Sequence, residues 1–221
     1  MQQYQITLEG LTPLLMHLDD VEFSDTISAW RKDPANKGQS KAGDDRSPPW
    51  TWLGYAYHDS EVLGLPADNI MTMLRDGGKS IKKGKSNYKN VTQSGILIDA
   101  LQWNLLVAGK TVDFKTLHAA LNGETDFAAH LTAVEALGFE LLVKRAKVGQ
   151  GKHVRVRPLF RDWSAVGTLT VLDPAQSGLT KKILEMILKQ AGAHVGLGDW
   201  RPSSPRASGT FGTFRTKVKK V

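Results

Sequence analysis

The stretch LTKKILEMILKQAG at 179–192 constrains the fold most. Leu179, Ile183, Met186, Ile187 and Ala191 recur with the 3.6-residue period of an amphipathic helix, and Gly192 is placed to cap its end. The glycine- and proline-rich segment that follows, HVGLGDWRPSSPRASGTFG, cannot extend that helix. The chain then closes on FRTKVKKV, where Phe214, Thr216, Val218 and Lys220 alternate to one side as in a strand. Helix, loop and closing strand form one unit, and that unit needs a sheet to join.

The rest of the chain supplies it. YQITLEG at 4–10 reads as a first strand. Residues 31–50 are polar and rich in breakers, which predicts a long loop or a partly disordered insertion; the aromatic TWLGYAYH after them is suited to pack it back onto the domain. Pro66 leads a helix with Asp68 or Asn69 as cap, Ile70, Met73 and Leu74 on one face, and Gly77-Gly78 weakening its end. SGILIDALQWNLLV reads as one or two strands, and DFKTLHAAL as a short helix capped by Asp113. Residues 122–138 fit neither pattern. ELLVKRAKV and HVRVRPLF pair around GQG as a hairpin, and in its second strand Val154 and Val156 alternate with Arg155 and Arg157, giving an apolar face and a cationic one. AVGTLTVLD adds a further strand. This order predicts an α+β fold: a modified RRM or ferredoxin-like βαββαβ core with an antiparallel sheet, one domain over 1–221 with insertions at about 18–60 and 100–157.

Charge is the second constraint. The net charge is +7, and 19 of the 29 Lys and Arg residues fall in three windows, 75–89, 144–161 and 201–220. If the windows meet, they form one electropositive face suited to a phosphate backbone; otherwise they are three solvated loops. The first holds Lys79, Lys82, Lys83 and Lys85 beside Tyr88. The second holds Lys144, Arg145, Lys147 and Lys152 around Arg155 and Arg157. The third holds Arg201 and Arg206. In the glycine-rich loop, Gly196 and Gly198 allow close backbone approach to an anion, and Trp200 can stack on a base or pack inward. The spacing matches neither a Walker loop nor a dinucleotide fingerprint, which excludes those nucleotide sites.

Other chemistry is sparse. Cysteine is absent, which removes disulfides and thiol nucleophiles and is compatible with a reducing cytoplasm. The N-terminus starts on strand-like sequence, so no signal peptide is expected. The six histidines have no metal-site spacing. His17 follows the first strand, where a general base can sit, and Asp19, Asp20 and Asp25 form an acidic cluster in the same loop.

ITLEGLTPLL, LGLPADNIMTMLRDGGK and GLGDWRP with GTFGTF together resemble the RAMP superfamily, the RRM-like proteins of CRISPR effector complexes, and most of all its backbone subunit. VGLGDWRP is also similar to phage and prophage proteins. The resemblance implies a cytoplasmic protein of antiviral defence. It would bind single-stranded guide RNA without reading sequence, contact a complementary target strand, and assemble with copies of itself and related subunits, with no membrane partner and no cofactor. A thumb-like hairpin, 144–157 or the insertion 31–50, would cross the strand. It also implies two alternatives: an endoribonuclease using His17, or magnesium at the Asp19, Asp20 and Asp25 loop, and a phage protein that anneals single-stranded DNA.

Overall fold

Tyr4, Ile6 and Leu8 alternate with Gln3, Gln5 and Thr7 along β1 (Gln2–Gly10), and only the first set is buried. That alternation makes β1 the centre of a one-sided sheet. The computed structural model describes residues 1–205 and 207–221. It is α+β with antiparallel sheets.

β1 is flanked by β12 (Phe214–Lys220) and β11 (Trp163–Val171), both antiparallel to it. β11 in turn pairs with β6 (Ile96–Ile98) and β7 (Gln102–Val107), and β7 with β3 (Gly64–Pro66) and β8 (Lys110–Thr111). Two helices carry the crossovers, α2 (Ala67–Gly78) before β6 and α7 (Lys181–Gln190) before β12. They pack on each other, and Ile70, Met73, Leu74, Leu184 and Ile187 share one core with Tyr4, Ile6, Leu8 and Leu169.

Several local expectations change for tertiary reasons. α2 has no side-chain cap; Pro66 leads it directly, and β3 pairing holds its start. Gly77 and Gly78 are the last two residues of α2, and both are buried there, where a methyl group would press on the Ile187 carbonyl and on Thr92, so they end the helix and also serve close helix packing. α7 does not stop at Gly192. It runs on into a π turn over Ala191–Val195, because Gly192 packs under the Phe214 carbonyl. Met186 is exposed, and Leu184 and Leu188 complete the buried stripe.

A second, three-stranded sheet is built from β2 (Leu14–Leu15), β9 (Glu140–Val148) and β10 (Gly151–Phe160). β7 belongs to the main sheet, and apart from β8 the segment between β7 and β11 lies outside that sheet. It contains α4 (Phe114–Leu121), capped by Asp113, and α5 (Phe127–Ala136) in the stretch that showed no pattern. The first insertion is ordered by long-range contacts. α1 (Val21–Lys32) leads to a tether in which Asp45 N–H donates to Val154 O and Val154 N–H to Gly43 O, and the 3-10 helix Pro49–Tyr55 is almost wholly buried. The remaining pieces are a small hairpin, β4 (Lys82–Lys83) and β5 (Ser86–Asn87), then α3 (Lys89–Gly95) and α6 (Pro174–Ser177). Among the described residues, no helix is long and apolar enough to cross a membrane.

His130 ties the two insertions together. It is fully buried, its Nδ1 accepts from Trp52 Nε1 at 3.1 Å, and its Nε2 then carries the proton, donating to Glu124 O at 3.1 Å. Burial pushes its pKa below the ordinary histidine value, as it does for His17 and His58. The unfolded chain therefore takes up protons near pH 6.5 that the native chain refuses. Stability should fall as pH drops from 7.5 to 5.5. Thermal melts across that range should show the decline, with a smaller slope in His130→Gln, which keeps one acceptor and one donor. A flat profile would mean these imidazoles are solvated.

Candidate nucleic-acid interface

The glycine-rich loop is fastened to its own chain. Asp199 N–H donates to Leu15 O, Gly212 N–H to Pro13 O, and Leu197 N–H to Gly212 O. Gly198 has φ +74°, and a methyl group there would overlap the Leu15 carbonyl. The close approach expected of Gly196 and Gly198 is thus made to the protein itself: to the Leu15 backbone at Gly198, and to the Pro202 ring and the Phe211 carbonyl of the same loop at Gly196. Arg201 folds back too, donating from Nη1 to Gly198 O at 2.9 Å and from Nε to Ser203 Oγ at 3.1 Å. Arg206 lies outside the described residues.

Trp200 has φ +54°, an uncommon conformation for a residue with a side chain. Its half-buried ring neither enters the core nor stands free. Phe211 lies at 6.0 Å on one side, and Lys144 Nζ sits 3.7 Å from the ring centroid. This cation–π contact joins the hairpin to the glycine-rich loop.

Residues directly opposite across the β9–β10 hairpin share a face. Lys144 faces Arg155, and Lys147 faces Lys152. The cations therefore divide: Lys144, Arg155 and Arg157 lie on one side, Arg145, Lys147 and Lys152 on the other. The first side is largely covered. Arg155 Nη1 donates to Tyr55 Oη at 2.7 Å and to Asp45 at 3.2 Å. Arg157 is buried in an ion pair with Asp199, and its Nε has no hydrogen-bond partner among the described residues. The expectation of two free arginines for phosphate is corrected here: distant carboxylates neutralise both. Lys144, Arg145, Lys147 and Lys152 are exposed and form no ion pair among the described residues.

Beneath Arg155 lies a pocket of about 140 Å³ lined by His17, Asp19, Asp20 and Tyr55. The His17 and Tyr55 rings stack at 4.5 Å. Burial, then the Asp45 charge, pushes the Tyr55 phenol up to about 12. Burial also lowers the His17 imidazole, with Asp199 opposing, and His17 Nδ1 has no partner among the described residues. The three aspartates do not converge. Asp20 caps α1 through Phe23 N–H at 3.1 Å, and Asp25 is exposed one turn on, away from the pocket. Among the described residues, no three histidine or acidic side chains are grouped to hold a metal ion.

The first basic window stands apart. The N-terminal half of α2 (Asn69, Thr72) meets Gly196, Gly198 and Arg201, whereas Lys79 follows its other end, about 10–15 Å further along the helix axis. The hairpin and the glycine-rich loop meet through Lys144 and Trp200, while Lys79, Lys82, Lys83 and Lys85 lie past the far end of α2. Lys79 pairs with Asp76, Lys83 donates to Ser177 O, and Lys82 and Lys85 are exposed without a polar side-chain partner among the described residues. Tyr88 is buried, its hydroxyl donating to Gly178 O, so it is not available for stacking. The open face of the main sheet carries Gln3, Gln5, Thr7, Thr168 and Thr170, with no aromatic ring among its described residues.

Sequence reasoning missed Asp45 and Tyr55, which sit more than 90 residues from Arg155 with no spacing signal to link them. No protein-family model matches the chain, and no curated protein is similar enough to it to count as a relative.

Proposed function

We propose that this chain binds single-stranded nucleic acid, guide RNA of the RAMP type, through the phosphate backbone, and that its core is RRM-like. The strand order β12-β1-β11-β6/β7, with helical crossovers through α2 and α7, supports the core assignment, since it is the order of a ferredoxin-like βαββαβ unit. One observation carries the binding reading: the β9–β10 hairpin sets Lys147 opposite Lys152 with Arg145 beside them, and no acidic residue occurs from 141 to 161. Like charges directly opposite destabilise a sheet unless an anion covers them.

The hairpin is the thumb of this reading. Its exposed cations neutralise phosphates and release counterions, and Trp200, held under Lys144, offers a ring edge at its base. The sheet face, being without aromatics, has no part in stacking. The arrangement uses no cofactor, and copies of the chain share one strand.

A labelled 20-nucleotide uridine oligomer should bind at 50 mM salt by fluorescence anisotropy. Changing Lys144, Arg145, Lys147 and Lys152 together to Gln should weaken binding about 100-fold and flatten the logarithmic salt slope by about 3, since each lost single-strand phosphate contact removes about 0.7. No binding at low salt, or binding indifferent to the four changes, would defeat the proposal. The His17 pocket supports a second reading, RNA cleavage with neutral His17 as base; loss of cleavage in His17→Ala, with binding retained, would establish it.

A further inference from the structure

β12 is the last strand of the main sheet, with β1 on one side. Val221 N–H donates to Gln3 O at 3.1 Å and Leu11 N–H to Thr213 O at 2.8 Å, so odd-numbered residues bond to β1. Backbone groups of successive strand residues point to opposite sides. Thr216, Val218 and Lys220 therefore turn their N–H and C=O groups outward. Beside this edge runs a groove of about 590 Å³ between β12 and α7, lined by Leu11, Ala193, Phe214 and Val218, with Glu185 and Lys189 at its rim. On the opposite face of the same strand, Arg215, Lys217 and Lys219 are exposed in a column. Glu9 bridges the first two, and Lys219 has no ion pair among the described residues.

We infer that the β12 edge accepts an extended segment of a partner protein whose residues alternate acidic and apolar. Main-chain hydrogen bonds to Thr216, Val218 and Lys220 would extend the sheet by one strand. The outward side chains of that strand would lie beside Arg215, Lys217 and Lys219, where Asp or Glu would be attracted and Lys or Arg would meet like charge. Its inward side chains would fill the groove over Leu11, Phe214 and Val218. Edge lysines also discourage indiscriminate pairing. Charge and groove together turn that deterrent into a choice, repelling basic strands and favouring an acidic, alternating one.

The test uses the full chain and a fluorescein-labelled octapeptide alternating Glu and Val. Two controls are an octapeptide alternating Lys and Val, and one with four Glu followed by four Val. The alternating acidic peptide should bind at least tenfold more tightly than either. Thr216→Pro removes an outward N–H without touching the β1 ladder, and should lower affinity at least tenfold with the melting temperature unchanged. Lys219→Glu should narrow the preference over the Lys–Val peptide. If Thr216→Pro fails to fold, N-methylation of alternate peptide residues should abolish binding instead. Equal binding of the block peptide would reduce the effect to bulk charge and overturn the inference. So would displacement by a uridine oligomer together with indifference to Thr216→Pro or N-methylation, which would make the column a nucleic-acid contact.

Discussion

Replacing Gly212 with alanine is expected to destabilise the chain by about 3 kcal/mol, a large share of a domain's typical stability. Gly212 has φ +70°, and the left-handed conformation alone costs a residue with a side chain about 1–2 kcal/mol. A methyl group there would also overlap the Leu197 carbonyl. Gly212 N–H donates to Pro13 O and its carbonyl accepts from Leu197 N–H, so moving it disturbs both ends of the loop's attachment. Each such bond left unmade costs about 1–3 kcal/mol. Urea unfolding of the variant checks this. A loss below about 0.5 kcal/mol would mean the loop hangs free of the core, and the Trp200–Lys144 contact would lose its support.

Replacing Asp199 with alanine should cost about 2–3 kcal/mol, toward the low side of what breaking a buried ion pair costs, because the Asp199 side chain is itself 36% exposed. The reason is asymmetric. Arg157 is only 8% exposed and would keep a buried charge without a counter-ion. Arg157→Ala should cost less, since water can reach the carboxylate left behind. The double variant should be more stable than the sum of the single losses predicts. A double-mutant cycle by urea unfolding gives the coupling; additive losses would show that the pair does not interact. The cycle also separates fold from function: Arg157→Ala should change stability and leave oligonucleotide affinity within about twofold, whereas the four hairpin cations should do the reverse.

The two predictions share an origin, since both concern residues whose roles depend on segments far away in the chain. Local spacing carried part of the fold. α7, the GQG hairpin, the Asp113 cap and the alternation of β1 and β12 depend on spacings of a few residues, and propensity and period decide them. Arg155 and Arg157 were legible as neighbours on one strand face. Their partners were not, since Asp45 lies 110 residues away and Asp199 lies 42 away. Tyr88 looked like a companion to lysines because it follows them; α2 and Gly178 bury it.

By itself, then, the sequence determined the α+β class, the helix–loop–strand unit at the C-terminus and the amount of positive charge in each window. Composition and short-range periodicity carry that information because backbone hydrogen bonding is local in helices and hairpins. Tertiary structure alone decided which of those charges remain available. Folding brought Asp45 and Asp199 against two arginines, split the hairpin cations between two faces, and left Lys79 to Lys85 past the end of α2 away from the glycine-rich loop. A charge is neutralised by whatever lies within a few ångströms, and the fold, not chain order, chooses those neighbours.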